Sequence, residues 1–200
     1  LGLLHHHGIK IAFSATELKS FILEHVHRWV DLTKYHRKLA ALLEQAPQKS
    51  GLEWKTAIAL HLFDAGLHAK AAEQLVILSQ KYHSSGREDT SIYLAKKGLT
   101  ASRSVFNGSL ESKALLLLGK NYIAKNNPKE AWKWLQKLMP SDEVSRARAL
   151  VLQSQIPRFY SFAFAYLQEA SSIFLEHDLK EEAAFAQTIL GNKMLNQNKI

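Results

Sequence analysis

Histidine is the residue type with the clearest chemical potential in this chain. The sequence has ten histidines and no cysteine, so a metal site would have to use imidazole and carboxylate ligands. His5, His6 and His7 are adjacent, and neighbouring residues of an extended segment point to opposite sides. His25 and His27 would lie about 200° apart around a helix, and no two histidines have the i, i+4 spacing that places both on one helical face. The spacing therefore predicts no metal site.

Motifs for catalysis and for cofactor binding are also missing from the sequence. A phosphate-binding loop needs the pattern G-x-x-x-x-G-K-[ST]. The nearest match, Leu-Gly-Lys-Asn at 118–121, lies within a predicted helix and lacks the first glycine. Neither the G-x-S-x-G nucleophile turn nor the H-E-x-x-H zinc motif occurs. We therefore predict a protein that is not an enzyme and that has no cofactor.

Lysines at helical spacing are the strongest candidates for binding a partner. Four residues between positions 113 and 123 follow the spacing i, i+3, i+7 and i+10, so they form one stripe about three turns long. The stripe combines apolar area with positive charge, which suits a protein or peptide partner that carries acids. The alternative is that the stripe packs against another helix of the same chain. The predicted partner-binding residues are Lys113, Leu116, Lys120 and Ile123, with Gln80 and His83 from an earlier helix.

A second basic stripe favours a different partner. Lys129, Lys133 and Lys137 follow i, i+4 spacing. Two tryptophans, Trp132 and Trp134, lie beside them. Positive charge next to aromatic rings suits contact with nucleic acid phosphates. The alternative, which we favour, is a solvated helix face with the two tryptophans packed behind it.

Composition is that of a soluble globular protein, and the charge has two interpretations: attraction of an acidic partner, or, as we favour, the solvated faces of helices. The apolar share is 46% and the charged share 22%, both ordinary for a globular chain. The formal net charge of +8 is uneven, since residues 101–150 hold nine Lys or Arg against four acids and residues 151–200 hold four against five. The middle of the chain is therefore the part that would attract an acidic partner.

The chain carries no sign of a membrane or secretory destination. No uninterrupted apolar run approaches the ~18 residues of a membrane span, and the N-terminus lacks a basic segment followed by a long apolar stretch. The absence of cysteine fits a reducing compartment. We therefore expect a cytoplasmic protein that does not bind membranes. The first residue is Leu1, not Met, which suggests a piece of a longer protein.

Helical periodicity dominates the sequence from Ser14 onward. Ser14 and Glu17 form a capping box that opens a helix, Gly66 is a natural C-terminal cap residue, and Ser109 is expected to cap the helix that follows it. Loops of about two to six residues force neighbouring helices to pack antiparallel. Only 8–13 has the alternation of an extended segment. The predicted helices cover 15–30, 32–45, 54–65, 69–84, 88–105, 110–125, 128–139, 141–155, 159–176 and 180–196.

A repeat emerges when the helices are aligned on their turns. Each unit places a small residue where two helices cross, a Gly, Asn or Asp at the turn, and another small residue five positions later. This pattern resembles the tetratricopeptide repeat. The turns are 60 and 52 residues apart, not multiples of 34, and Gly86 is a further candidate turn, so an irregular stack is expected. A plain helical bundle is the alternative. The turn residues are Gly66, Asn126 and Asp178, followed by Ala71, Ala131 and Ala183.

The second unit predicts a specific seam between two consecutive helices. Four of its residues should share one buried interface, because small and large side chains alternate across a close helix crossing. These residues are Leu118, Tyr122, Ala131 and Leu135.

A longer resemblance covers about 8–99. The motifs are Phe-Ser-Ala at 13–15, His-Arg-Lys-Leu-Ala-Ala-Leu-Leu-Glu at 36–44 and Ala-Leu-His-Leu-Phe-Asp-Ala-Gly at 59–66. In this order they resemble the region after the winged-helix part of STAND signal-transduction ATPases. The resemblance implies a last wing strand, a linker helix and then a tetratricopeptide-like sensor region, in a LuxR-type, kinase-linked or cyclase-linked regulator. Within the last motif, we expect His61 to be a packed polar residue whose ring is satisfied by a neighbouring helix.

Together these patterns predict an all-α fold, a right-handed antiparallel helix-pair solenoid of tetratricopeptide type. It is expected to be irregular, with about ten helices and a short extended N-terminal segment. Residues 1–50 are the N-terminal segment, a remnant of a winged-helix or linker region, and residues 51–200 the helical repeat domain. The predicted function is a non-catalytic protein–protein interaction or sensor module of a larger signalling or transcriptional regulator. The alternatives are a stand-alone tetratricopeptide-type adaptor and a basic helical-repeat protein that binds nucleic acid.

Overall fold

The computed structural model describes residues 3–6, 9–12, 32–45, 51–140 and 142–197. The predicted helix at 15–30 and its capping box lie outside the described residues. The chain begins with a two-stranded antiparallel hairpin, β1 (Leu3–His6) and β2 (Ile9–Ala12), in which Leu3 lies opposite Ala12. Within the extended segment predicted at 8–13, residues 9–12 form the strand β2, and its partner β1 was not predicted.

Helices make up the rest of the described chain. Most begin and end within two residues of the predicted bounds. Two do not: the helix predicted to reach 139 ends at Leu135, and the one predicted to begin at 159 starts as the 3-10 helix Pro157–Phe162. The α-helices are α1 Leu32–Gln45, α2 Leu52–Asp64, α3 His68–Ser84, α4 Glu88–Ser104, α5 Gly108–Ala124, α6 Pro128–Leu135, α7 Glu143–Ser154, α8 Ala163–Glu176 and α9 Lys180–Gln197.

The turns between α2 and α6 share one backbone geometry. Each has a residue with positive φ, and the N–H of the next residue bonds to the carbonyl five positions back, at 2.8 to 2.9 Å. This is the Schellman arrangement, which satisfies carbonyls left free at a helix C-terminus. Glycine fills two of the four positions because it adopts positive φ without strain. The positive-φ residues are Gly66, Gly86, Phe106 and Asn126.

These turns recur every 20 residues, at positions 66, 86, 106 and 126. Helices α3, α4 and α5 have 17 residues each. The predicted distance of 60 residues between Gly66 and Asn126 therefore spans three helices, and Gly86 is a turn. Irregularity begins at α6, which has only 8 residues. Among the described residues, the next one with positive φ is Asp178, 52 positions after Asn126.

Side-chain caps fix where several of these helices begin. The Oδ1 of Asn107 accepts from the backbone N–H of Leu110 at 3.1 Å, so Asn107 and not the predicted Ser109 caps α5. Asp142 accepts from the N–H of Ser145 at 2.7 Å and caps α7. Asn127 caps α6 in the same way. Such caps stabilise a helix by about 1 kcal/mol each.

The helices stack as an antiparallel helical-repeat solenoid. Each helix packs against the next, and in addition α3 contacts α5 and α5 contacts α7. These contacts between alternate helices place α3, α5 and α7 side by side in one layer. The described fold is therefore all-helical apart from the N-terminal hairpin, as predicted.

Small residues and leucines form the core between the layers. Ala59, Ala71 and Leu75 are fully buried at the start of the stack. Further along, an ideal Cβ on Gly119 would lie 2.6 Å from Cδ2 of Leu135, so α5 and α6 approach closely because residue 119 has no side chain.

The predicted seam between α5 and α6 is confirmed in most respects. Leu118, Ala131 and Leu135 are buried. They belong to two adjoining clusters, and Tyr122 packs against both of them. Tyr122 is only partly buried, so it bridges the two clusters at their edge.

Candidate interaction groove

Stacking of α3, α5 and α7 in one layer creates a groove. A cavity of about 550 Å³, open to solvent, lies across these helices and the α8–α9 pair. We call it the interaction groove. Its floor is apolar: two of the floor side chains, Leu117 and Leu152, are half-buried, and the other four are at most 8% exposed. The floor residues are Val76 on α3, Leu116 and Leu117 on α5, Val151 and Leu152 on α7, and Phe174 on α8.

Charged side chains stand around this floor. Arg148 Nη2 of α7 lies 3.1 Å from Glu182 Oε1 of α9, so this cation already has a counter-charge from the same chain. Lys113 and Lys120 also line the groove. Within the described part of the chain neither lysine forms an ion pair. The groove therefore offers two cations that an incoming anion can pair with.

Four of the six predicted partner-binding residues line the groove. Lys113, Leu116 and Lys120 contribute from α5. Gln80 contributes from α3, where it also borders a smaller hollow of about 390 Å³. The helix spacing that placed 113, 116 and 120 on one stripe holds because α5 is regular over its full length.

The other two predicted residues lie elsewhere. Ile123 packs against the buried cluster of Leu116, Ala131 and Leu135 between α5, α6 and α7, so its side chain serves the core of the stack. His83 Nδ1 lies 3.0 Å from Oδ1 of Asn121. Both residues are half-buried and neither lines the groove.

His83 belongs to a buried polar network that joins α3, α4 and α5. Asn121 is fully buried, and its Nδ2 donates to Ser91 Oγ at 2.8 Å and to the carbonyl of Leu117 at 2.7 Å. Its Oδ1 is therefore the acceptor for His83, whose Nδ1 carries the proton. Ser91 in turn exchanges hydrogen bonds with Ser79. Satisfied buried networks of this kind fix the relative position of helices.

Two histidines, one from the motif at 36–44 and one from the motif at 59–66, meet between α1 and α2. His36 Nδ1 lies 2.8 Å from His61 Nδ1, and the ring centroids are 5.0 Å apart. One ring must donate and the other accept, so at most one of these two nitrogens carries a proton. Burial and the neighbouring His36 lower the pKa of His61, while Asp64 acts in the opposite direction. The prediction that a neighbouring helix satisfies the ring of His61 is confirmed.

The second basic stripe is not continuous in the structure. Because α6 ends at Leu135, Lys137 lies beyond the helix and its Nζ sits 4.5 Å from the ring of Trp134. Lys133 pairs with Glu130 at 3.1 Å. The prediction of a single lysine stripe was wrong, because the helix does not extend to residue 139.

Residues of α7 and α9 complete the groove and were not predicted. Arg148, Glu182 and Phe185 lie far from α5 in the sequence and reach it only through stacking. A usable signal was present at Arg148, since it shares a helix face with Val151 and Leu152 at i+3 and i+4. A charged residue on an otherwise apolar face often marks the rim of a cavity.

Comparison of the chain with protein-family models, with curated proteins and with solved structures gives no match. Across the described ranges, no helix is both long and apolar enough to cross a membrane. In the same ranges, no three His, Asp or Glu side chains cluster in a way that could hold a metal ion. The geometry of the interaction groove is therefore the basis for assigning a function.

Proposed function

We propose that this chain is a non-catalytic protein-interaction or sensor module of a larger signalling or transcriptional regulator, acting in the cytoplasm. The observation that carries the proposal is the interaction groove itself. It combines an apolar floor, an open mouth and two lysines that form no ion pair among the described residues. Concave apolar sites with a few polar groups at the rim are the usual form of binding sites.

The site is built for recognition and not for turnover. Its titratable groups are cations on long side chains and one carboxylate held by Arg148. General acid–base or nucleophilic chemistry needs a positioned pair of groups within hydrogen-bond reach of a substrate. The groove instead presents apolar contact area and positive charge, which are the features that bind a protein or peptide partner.

The resemblance to STAND regulators supports the sensor role. His36 and Arg37 belong to one motif of that resemblance and His61 to the next. The hydrogen bond between His36 and His61 joins these two motifs across α1 and α2. In such a regulator the linker helix α1 would connect the sensor stack to the remaining domains.

A stand-alone adaptor would use the same groove, so a different observation separates it from the regulator. A G-x-x-x-x-G-K-[ST] motif encoded upstream in the parent reading frame supports the regulator. A parent frame without a nucleotide-binding domain supports the adaptor. Nucleic acid binding is a weaker alternative, because Lys133 pairs with Glu130 and Lys137 stacks on Trp134.

The groove can be tested by peptide selection. Random peptides displayed on phage are selected on the full chain and then tested on Gln80→Trp, which fills the groove from α3. The control is Gln168→Trp, because Gln168 is exposed on α8 and outside the groove. We expect selected peptides to bind the wild type and the control but not Gln80→Trp. Failure to select any peptide, or equal binding to Gln80→Trp, contradicts the proposal.

A further inference from the structure

We propose that the interaction groove takes an acidic peptide segment whose carboxylates pair with Lys113 and Lys120, and that Glu182 competes with this ligand for Arg148. The inference rests on the proposed function and names the chemistry of the partner. It goes further by giving one residue of this chain, Glu182, the role of an internal competitor for a cation of the groove.

The positions of the two lysines define the ligand. They lie seven residues apart on α5, a distance of about 10 Å along the helix. Leu116 and Leu117 lie between them on the groove floor. A matching segment therefore carries two carboxylates about 10 Å apart and a large apolar side chain between them. That side chain can cover Leu117, which is half-buried, whereas Leu116 is already only 8% exposed. Phe185 is 57% exposed at the α9 side of the groove and adds apolar area there.

The balance of charge points to the same ligand. Three cations line the groove, Lys113, Lys120 and Arg148, against one acid, Glu182. The chain satisfies Arg148 with its own carboxylate at 3.1 Å. That contact shows that a carboxylate fits at the groove wall, and it leaves the two lysines for a carboxylate from outside.

Glu182 and the ligand are in competition because they use the same cation. Arg148 presents a planar fork of donors that suits one carboxylate in a bidentate geometry. Glu182 contacts one nitrogen of this guanidinium, at 3.1 Å, and its negative charge reduces what a ligand carboxylate gains from approaching the same group. Removal of the charge at position 182 frees a third cation and also removes a negative charge that repels the ligand.

The floor argues against nucleic acid as the occupant. Binding of single-stranded nucleic acid depends on several phosphate contacts and on exposed aromatic faces for the bases. Among the described residues, the groove offers two cations without an ion pair over a mainly aliphatic floor, and Phe185 is its one exposed aromatic ring. A competing nucleic acid is therefore included in the test below as an outcome that overturns the proposal.

The first experiment tests the ligand class. Peptides selected on the full chain are sequenced, and a fluorescein-labelled copy of the most enriched one is titrated by anisotropy. We expect two acidic residues flanking a large apolar one. Enriched peptides without acids overturn this inference, yet they leave the proposed function intact if Gln80→Trp still abolishes their binding. Displacement of the peptide by a random single-stranded RNA pool also overturns it.

The second experiment tests the cations. Lys113→Glu with Lys120→Glu should weaken binding of the labelled peptide by about tenfold or more. Raising the salt concentration should also weaken binding of the peptide to the wild type. The matched control is Lys55→Glu with Lys129→Glu, which changes the net charge equally at exposed positions outside the groove. Circular dichroism checks that both variants are folded. Equal loss in both variants overturns the proposal.

The third experiment tests the competitor. Glu182→Gln keeps the shape of the side chain and removes its charge, so the labelled peptide should bind about threefold more tightly or better. A purely structural role for the Arg148–Glu182 pair would lower the melting temperature and leave the affinity unchanged. Unchanged or weaker binding by folded Glu182→Gln overturns the competition.

A double substitution separates competition for the cation from simple repulsion of the ligand. In a chain that already carries Arg148→Leu, the cation for which Glu182 competes is gone. Adding Glu182→Gln to that chain should therefore change the affinity for the labelled peptide much less than it does in the wild type. An equal gain in both backgrounds overturns the competition, because the gain would then come from lost repulsion alone.

Discussion

At the scale of single residues, the turn at Phe106 is where sequence and backbone disagree. Phe106 has φ 53° and is 95% exposed. The left-handed conformation costs an ordinary L-residue about 1–2 kcal/mol, and an exposed ring gains little from packing. The equivalent positions hold Gly66, Gly86 and Asn126, which adopt this conformation more easily. The predicted helices 88–105 and 110–125 leave a loop at 106–109, but the strained residue in it was not predicted, since position 106 is not a glycine.

Phe106→Gly should therefore stabilise the protein by about 1 kcal/mol, because it relieves the strain and exposes no new apolar core. Urea denaturation measures the change. Asn126→Gly is the matched control at the next turn, and it should have a smaller effect because asparagine tolerates positive φ. A destabilised Phe106→Gly would show that the exposed ring makes contacts that outweigh the strain.

The His36–His61 contact makes stability depend on pH. The pKa of His61 is lowered by burial and by His36, so the unfolded chain binds more protons than the folded chain as the pH falls. The contribution of His61 to stability is complete above its unfolded pKa of about 6.5 and is lost as the pH falls from there towards the folded value.

Denaturation midpoints measured at a series of pH values should thus decrease on acidification below about 7, and His61→Gln should flatten that decrease. His177→Gln is the control, because His177 is exposed at the other end of the stack and the one polar contact of its ring among the described residues is with Glu143, at 3.4 Å. An unchanged slope in His61→Gln would mean that another group causes the acid sensitivity.

At the scale of elements, periodicity predicts most helix bounds and packing decides the exceptions. Helices α3 to α5 are regular because each has apolar residues on its buried face and a Schellman turn at its end. The early end of α6 could not be predicted, because Gln136 and Lys137 are good helix formers. There the backbone N–H groups of Lys137 and Leu138 donate to the carbonyls three residues before them, so the last turn is tighter than an α-helical turn.

Two glycines in helices give opposite predictions. Gly119→Ala gains about 1 kcal/mol of helix propensity. Its Cβ would lie 2.6 and 2.7 Å from Cδ2 and Cγ of Leu135, which is only 2% exposed, and such overpacking costs about 1–3 kcal/mol. We expect Gly119→Ala to be destabilised overall.

Gly191→Ala is the matched comparison on α9. A Cβ at position 191 meets nothing within 4 Å among the described residues, so only the propensity gain of about 1 kcal/mol remains and the variant should be more stable. Both changes are measured by urea denaturation. If the two substitutions have the same sign, the close approach of α5 and α6 at Gly119 is not as tight as the structure shows.

At the scale of the whole molecule, the sequence predicts four of the twelve residues that line the groove. The stripe on α5 follows from helical geometry alone, which is why Lys113, Leu116 and Lys120 were predicted. Arg148 and Glu182 were not predicted, because their contact depends on how α7 and α9 stack. That stacking is determined by contacts between residues far apart in the sequence. The position of His83 outside the groove depends on such contacts too, because its hydrogen-bond partner Asn121 is on another helix.

The central claim is that partners bind in the interaction groove, and the chain permits a direct measurement of it. Because the sequence has no cysteine, a single cysteine can carry a benzophenone photocrosslinker at one chosen position. Gln80→Cys places it in the groove and Gln168→Cys places it on the exposed side of α8. Irradiation with the selected peptide should give a crosslink from position 80 and little from position 168. Equal crosslinking from both positions, or crosslinking from position 168 alone, would contradict the account.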